Sequence, residues 1–243
     1  PMKKIKKILR IFFNVFGLNI RYAVVPGISF FGINIHKDAH KNKNLFRAQK
    51  ALEYCCDLKI KTVLDIGSGA NIHANQFKQK GKKVVCVDYG TSKYALESKV
   101  NGIEVIKEDF LSLQIDEKFD LIWASHVIEH QKNIGMFIQK MISFCANDGY
   151  LCITIPDPHR HLWGGHLSIW SPGLLAYNIV LSGLDLKDAI FIRGELETSL
   201  VFKMKKIDLP NDLTFDMGDV DKISKYLPSH LKEDSDPWKV EWF

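Results

Sequence analysis

Val63-Leu64-Asp65-Ile66-Gly67-Ser68-Gly69-Ala70 is the stretch on which the fold turns. Residues 61–66 form a short apolar run that suits a buried strand, and Gly67-Ser68-Gly69 stops it. Helical periodicity follows as far as Lys80. Glycines where a strand passes into a helix let the backbone approach a ligand closely, and the helix N-terminus offers free N–H groups. Outward from this turn the alternation repeats. Gly81 leads into a second apolar run at 84–87; 92–99 reads as helix, 103–106 and 119–124 as strands, and 132–146 as helix. Asn147-Asp148-Gly149 reads as a turn before a strand at 150–155, which ends at Pro156. A helix runs from Pro172 to about Ser182, and 186–192 and 200–204 then read as two strands with no helix between them. Strands alternating with helices predict an α/β fold with a mostly parallel sheet. Two strands joined by a short loop are antiparallel, so the sheet is expected to end in a hairpin.

The 243 residues are 46% hydrophobic and 25% charged, which gives enough apolar mass for a full core and excludes collagen-like and disordered chains. No run of about 18 apolar residues occurs, so no membrane-spanning helix is expected. Charge is unevenly spread: residues 1–61 carry 13 Lys/Arg against 3 Asp/Glu, 62–206 carry 16 of each, and 207–243 carry 4 against 9. A basic front, a neutral body and an acidic tail are not the footprint of a nucleic-acid-binding protein. None of the cysteines, Cys55, Cys56, Cys86, Cys145 and Cys152, forms a C-x-x-C pair, which predicts buried, reduced thiols and a cytoplasmic setting.

Asp88 follows the second strand, 19 residues after Gly69, where a carboxylate can accept from the two hydroxyls of a ribose. Asp109-Phe110 follows the third, where an acid can accept from an adenine amino group and an aromatic can line the base. A dinucleotide site is the obvious rival, but its G-x-G-x-x-G pattern fails at Ile72. Asp65 would also repel a pyrophosphate, whereas it suits a ligand that carries an ammonium group.

The ordered set V-L-D-I-G-S-G, V-V-C-V-D, E-D-F, F-D-L-I-W-A-S-H-V-I-E-H and G-Y-L-C-I-T-I-P resembles that of class I S-adenosylmethionine-dependent methyltransferases over roughly 60–205. The resemblance implies a doubly wound, Rossmann-like sheet of seven strands, mostly parallel with an antiparallel last strand. It implies Asp65, Gly67 and Gly69 at the methionine end of S-adenosyl-L-methionine, Asp88 at the ribose, and Asp109 and Phe110 at the adenine. Tyr89 and Ser125, beside these motifs, complete the expected cofactor-binding set.

Five of the nine histidines, His126, His130, His159, His161 and His166, lie at the ends of the fourth and fifth strands, so the two groups are expected to converge. In Ser125-His126-Val127-Ile128-Glu129-His130, positions 126, 129 and 130 share a face if the segment is helical. Two imidazoles and a carboxylate can then hold Fe(II), Mn(II) or Zn(II). The segment is similar to E-x-x-E-H of ubiquinone-pathway O-methyltransferases, which the resemblance makes a divalent-metal site; Mg(II) is the harder alternative. Without a metal, His126, His130 or His166 is the candidate base that takes the acceptor's proton.

The expected acceptor is a small molecule. A sugar hydroxyl, nucleotide-linked or in a surface polysaccharide, is the leading reading, with Trp163 and Trp170 available to stack on a ring and Arg160 to meet phosphate. A quinone, lipid or other small molecule is the alternative, and a non-catalytic cofactor-binding partner the third. Ile5, Ile8, Leu9, Phe12, Phe13 and Phe16 line one face of a helix over 3–16, which lies either on an anionic membrane surface or against protein. Three segments result: a helical, basic segment over 1–60 that covers the site, a cofactor-binding methyltransferase domain over 61–206, and an acidic arm over 207–243.

Overall fold

The computed structural model describes residues 19–25, 28–34, 47–96, 102–158, 164–216 and 218–231. The chain divides into two compact units, Pro1–Phe46 and Arg47–Phe243. In the first, β1 (Asn19–Val25) and β2 (Ile28–Asn34) pair antiparallel with Val25 opposite Ile28, a hairpin that the sequence pattern did not announce. The helix expected over 3–16 lies outside the described residues.

The second unit contains α1 (Gln49–Asp57), β3 (Thr62–Ile66), α2 (Ile72–Gln79), β4 (Lys83–Asp88), α3 (Lys93–Leu96), β5 (Val105–Lys107) and β6 (Phe119–Ser125). It continues with α4 (Ile134–Phe144), β7 (Cys145–Pro156), α5 (Pro172–Leu181), β8 (Ile190–Arg193), β9 (Glu197–Lys203) and α6 (Asp219–Ile223). Seven strands form one sheet in the order β5-β4-β3-β6-β7-β9-β8. Strands β5, β4, β3, β6 and β7 pair in parallel, and β9 runs antiparallel to both β7 and β8. The chain winds from β3 out to β5 and then returns to β6 on the other side of β3. A crevice therefore opens at the carboxyl ends of β3 and β6.

Alternate residues of each strand enter opposite layers. Val63, Leu121, Trp123 and Cys152 pack with Leu52, Cys55 and Phe77 from α1 and α2. Leu64, Ile66, Ile122, Ala124 and Ile153 pack with Phe137, Met141 and Ile179 from α4 and α5. A sheet covered on both faces makes its strands read as continuous apolar runs. All five cysteines are free and buried. Burial raises the thiols of Cys56, Cys86, Cys145 and Cys152, that of Cys145 to about 12, which leaves these four inert.

Four details differ from the sequence reading. Strand β5 begins at Val105, two residues later than expected. The expected turn at 147–149 lies within β7, with Asp148 at φ 64° and an irregular pairing of β6 between Phe119 and Leu121. Residues 47–60 belong to the second unit, where α1 buries Ala51, Leu52, Cys55 and Cys56. The acidic stretch 207–231 also joins the core: Ile223 and Leu227 are buried, and Leu186 N–H donates to the Tyr226 carbonyl at 2.9 Å. Residues 232–243, with Trp238 and Trp242, lie outside the described residues. Among the described residues no helix is long and apolar enough to cross a membrane.

Candidate active site

At the end of β3, Asp65 is buried, and its Oδ2 has no hydrogen-bond partner. Burial, followed by the charge of Asp88, pushes its carboxyl up to about 8. Gly67 has φ +66°, and a Cβ there would stand 2.6 Å from Cγ2 of Val127. The glycine is thus needed twice, for its backbone and for the approach of the segment that follows β6. Asp88, at the end of β4, holds the turn closed: Oδ2 accepts from Gly69 N–H at 3.0 Å and Oδ1 from Gly90 N–H at 2.7 Å. Asn71 precedes α2 at φ 60°, buried, with its Oδ1 also unpartnered. Tyr89 is exposed near Asp109, whose Oδ1 accepts from Leu111 N–H at 3.0 Å. Ser125 ends β6 opposite Thr154. Phe110 is buried beside this edge. The Asp109 turn swings its ring inward, where it packs edge-on against Phe137 with centroids 5.3 Å apart.

The segment after β6 departs from expectation. Its helical part is one short turn, Ile128–His130, and His126 precedes it at φ +58°. The His126 and Glu129 side chains still meet, but not as positions on one continuous helix. The His126 ring lies between two carboxylates, with Nε2 2.7 Å from Glu197 Oε2 and Nδ1 3.3 Å from Glu129 Oε1. Burial, the largest influence, would lower its pKa, but the two neighbouring carboxylates of Glu129 and Glu197 together outweigh it, and the ring is held above its ordinary value. Nε2 of His126 is committed to Glu197, whereas its buried Nδ1 has no hydrogen-bond partner and faces Glu129 only as a charge contact.

Glu129 is fully buried, and neither carboxylate oxygen has a hydrogen-bond partner. Its carbonyl accepts from Leu167 N–H at 2.7 Å and Ser168 N–H at 3.2 Å, which ties the loop after β7 to this turn. His130 is exposed, its Nδ1–H donates to the Gly165 carbonyl at 2.8 Å, and its ring meets that of His166 edge-on at 4.9 Å. The structure thus brings His130 and His166 together from two loops. Glu129, His130 and His166 each offer a ligand atom, all within 4.8 Å of one another, so the group with metal-ligand spacing takes His166 in place of His126. Trp170 is buried with its Nε1–H on Ser168 Oγ at 2.7 Å, which makes it a core residue and no stacking platform. His159, Arg160, His161 and Trp163 lie outside the described residues.

Two residues of this edge carry no signal in the sequence. Glu197, the first residue of β9, bonds His126 across 71 positions and accepts from the backbone N–H of Ala48 through Oε1. Burial opposes its charge, but these two donors outweigh burial and hold the carboxyl below its ordinary value. His73, in the first turn of α2, accepts from Trp123 Nε1–H at 3.2 Å and bonds the Arg47 carbonyl through Nε2 at 2.8 Å. Burial, the largest influence on this ring, lowers its pKa and keeps it neutral.

The strand order and the crevice define a class of protein. The structure resembles a SAM-dependent methyltransferase from Archaeoglobus fulgidus, with a TM-score of 0.53 and 17% identity over 65% of this chain and 91% of that one. It also resembles 1,6-didemethyltoxoflavin-N1-methyltransferase from Burkholderia thailandensis, solved with 1,6-didemethyltoxoflavin and S-adenosylhomocysteine, with a TM-score of 0.51 and 18% identity over 66% and 77% of the two chains. At such identities the likeness is one of fold, that of class I S-adenosylmethionine-dependent methyltransferases. Residues 34–182 match the family model described as a methyltransferase domain. That is more than half of the chain, and the chain belongs to this methyltransferase family. Curated relatives include (S)-coclaurine N-methyltransferase of Papaver somniferum, 32% identical over 38% of this chain and 28% of the relative. Ubiquinone biosynthesis O-methyltransferase of Rickettsia felis is 26% identical over 44% and 46% of the two chains. The matches span less than half the length of these relatives.

Proposed function

We propose that the chain transfers a methyl group from S-adenosylmethionine to a hydroxyl or amine of a small molecule, with Glu129 taking the acceptor's proton. The observation that carries this reading is the fully buried Glu129, whose two carboxylate oxygens lack hydrogen-bond partners beside the carboxyl end of the sheet. A buried acceptor left unpaired costs about 1–3 kcal/mol, and a ligand N–H or O–H group removes that cost.

The donor side fits the donor by the same test. The unpartnered Oδ2 of Asp65 suits an ammonium group, and the Gly67–Gly69 turn leaves room for close backbone approach. Asp88 keeps lone pairs for ribose hydroxyls beyond those used by Gly69 and Gly90. Tyr89, Asp109 and Ser125 complete this side, and Phe110 supports it from the core. The bound donor supplies a methyl group on a sulfonium. What remains for the chain is positioning and proton removal. His130 gives Nδ1–H to Gly165, which leaves Nε2 as a second proton acceptor near His166.

The acceptor is narrowed by what surrounds these groups. Leu167 and Ile169 are exposed beside His166, and Trp170 is turned into the core. This favours an acceptor with apolar surface, such as a phenol or a hydrophobic amine, over a nucleotide-linked or polymer sugar. The names of the curated relatives include both nitrogen and oxygen methyltransferases. The test is release of S-adenosylhomocysteine with a panel of polyprenyl phenols, secondary amines and nucleotide sugars. Turnover is expected with the first two. Binding of the by-product with no turnover of any acceptor would leave a non-catalytic cofactor-binding partner.

A second reading rests on the spacing of Glu129, His130 and His166. Two imidazoles and a carboxylate fit Fe(II) or Mn(II) and fit Mg(II) poorly, because Mg(II) prefers an all-oxygen shell. A divalent ion held there would lower the pKa of an acceptor hydroxyl. Metal analysis and the change in melting temperature on chelation and Mn(II) addition test it. An unchanged melt with full turnover after chelation excludes the ion. The membrane-surface reading of 3–16 is tested by vesicle pelleting with and without residues 1–20.

A further inference from the structure

We propose that Glu197 and His73 are positioning residues that close a ring of hydrogen bonds around the carboxyl end of β6, so that one peptide group, Arg47–Ala48, sets where His126 and Glu129 stand. Its bearing on turnover rests on the role given to Glu129 above.

The ring is continuous. The Trp123 indole N–H on β6 donates to His73 Nδ1 at 3.2 Å. An indole only donates, so His73 carries its own hydrogen on Nε2 and gives it to the Arg47 carbonyl at 2.8 Å. The N–H of the same peptide group, on Ala48, donates to Glu197 Oε1. The other oxygen, Oε2, takes the His126 Nε2–H at 2.7 Å. His126 follows three residues after Trp123 and closes the circuit, and its remaining nitrogen faces Glu129 at 3.3 Å.

Several features show that the parts cannot move singly. Ala48 holds φ 55° and ψ 20°, a left-handed conformation that costs a non-glycine residue about 1–2 kcal/mol, and both ends of its peptide group are pinned by side chains. Ala48 is buried, so water does not replace its bond to Glu197. Glu197 has both oxygens committed, and its Cγ lies 2.6 Å from where a side chain on Gly194 would begin, so it is walled in behind. A shift of the 47–48 peptide must therefore move the Glu197 carboxylate, and with it His126.

The experiment uses the full chain and hydrogen–deuterium exchange, which needs no acceptor. H73F opens the ring on the side away from His126 and keeps an aromatic ring against Trp123. Exchange is expected to quicken about tenfold in two segments together, 47–49 and 126–130, while 62–66 and 83–88 keep their rates. E197A is expected to do the same from the other side, with S-adenosylhomocysteine affinity within about threefold of the parent. If E197A does not melt cooperatively, E197Q, which keeps an acceptor for Ala48 N–H, takes its place. Quickening confined to 47–49, or none, overturns the proposal. With any acceptor that the panel identifies, H73F should lower kcat about tenfold and leave the donor KM within threefold. An unchanged kcat also overturns it. A panel with no turnover sinks the methyl-transfer reading alone, and the exchange result still decides this one.

Discussion

At the β3–β4 edge the acids lean on backbone, Asp88 on Gly69 and Gly90 and Asp109 on Leu111. At the β6–β7–β9 edge the pairs are between side chains from distant parts of the chain: His126 with Glu197, His130 with His166, and Arg193 with Asp157. The first edge takes shape with the strand ends and turns themselves. The second exists only once the sheet has closed and the last hairpin has docked. A substitution at the first should therefore act on donor binding and little else, whereas one at the second should spread along its partners.

The strongest challenge to this division is Gly67→Ala, because Gly67 is where the edges touch. The new Cβ would meet Val127 at 2.6 Å in a backbone conformation of φ +66°. Strain and overpacking each cost about 1–3 kcal/mol. By-product affinity should fall by more than about 30-fold, and the melting temperature by roughly 10 °C. Near-native affinity in calorimetry would mean that the two edges do not press on one another. Glu129→Gln asks the reverse question, whether the transfer edge can fail alone. It should lower kcat about 10²–10⁴-fold with by-product affinity within threefold. Parallel loss of affinity would break the division.

The same difference explains what could be read in advance. Asp65, Gly67, Gly69 and Asp88 were legible because a strand end, a glycine turn and an acid after the next strand are local patterns with fixed spacing. The sheet was legible because burial on both faces makes its strands apolar runs. The His126 segment was misread, since the i, i+3, i+4 spacing is that of a helix and the left-handed backbone at His126 leaves no mark in the residue pattern. Glu197 and His73 were invisible because their roles depend on register: Glu197 faces the site only because β9 places it opposite Pro156. Trp170 was offered as a stacking platform because an aromatic residue in a loop suits either a ligand or a core, and only packing distinguishes the two.

Asp65 gives the donor edge its own signature in pH. Its carboxyl is pushed up to about 8, first by burial and then by Asp88, so below that pH the free chain holds it protonated. Only the carboxylate pairs with an ammonium group. By-product affinity should therefore rise with pH, by up to about tenfold per unit between roughly 6 and 8, and level off above. Calorimetry in buffers of different ionisation enthalpy should register proton release, and Asp65→Asn should flatten the dependence. The stability of the free chain has the opposite sign. A raised folded-state pKa means that stability is fully present below the ordinary value of 3.8 and is lost as pH rises through about 8. Saturating by-product should restore it. An affinity independent of pH would separate Asp65 from the ammonium group.

The smallest effect is expected behind the transfer edge, at Arg193→Lys. Arg193 grips both oxygens of Asp157 and also donates to the Glu197 carbonyl at 3.3 Å and to Thr198 Oγ1 at 3.2 Å, so it braces the start of β9 from outside the ring. Lysine keeps the charge but loses the fork. Both side chains are partly exposed, which limits the loss to about 1 kcal/mol, or a melting temperature about 2–4 °C lower. By-product affinity should not change, because nothing at the β3–β4 edge leans on this pair. Faster amide exchange at 126–130 without faster exchange at 62–66 would show that even a weak fault at the hairpin travels along the transfer edge and stops short of the donor. Equal exchange at both would mean that the edges are one cooperative unit, and the division drawn from their partners would fail.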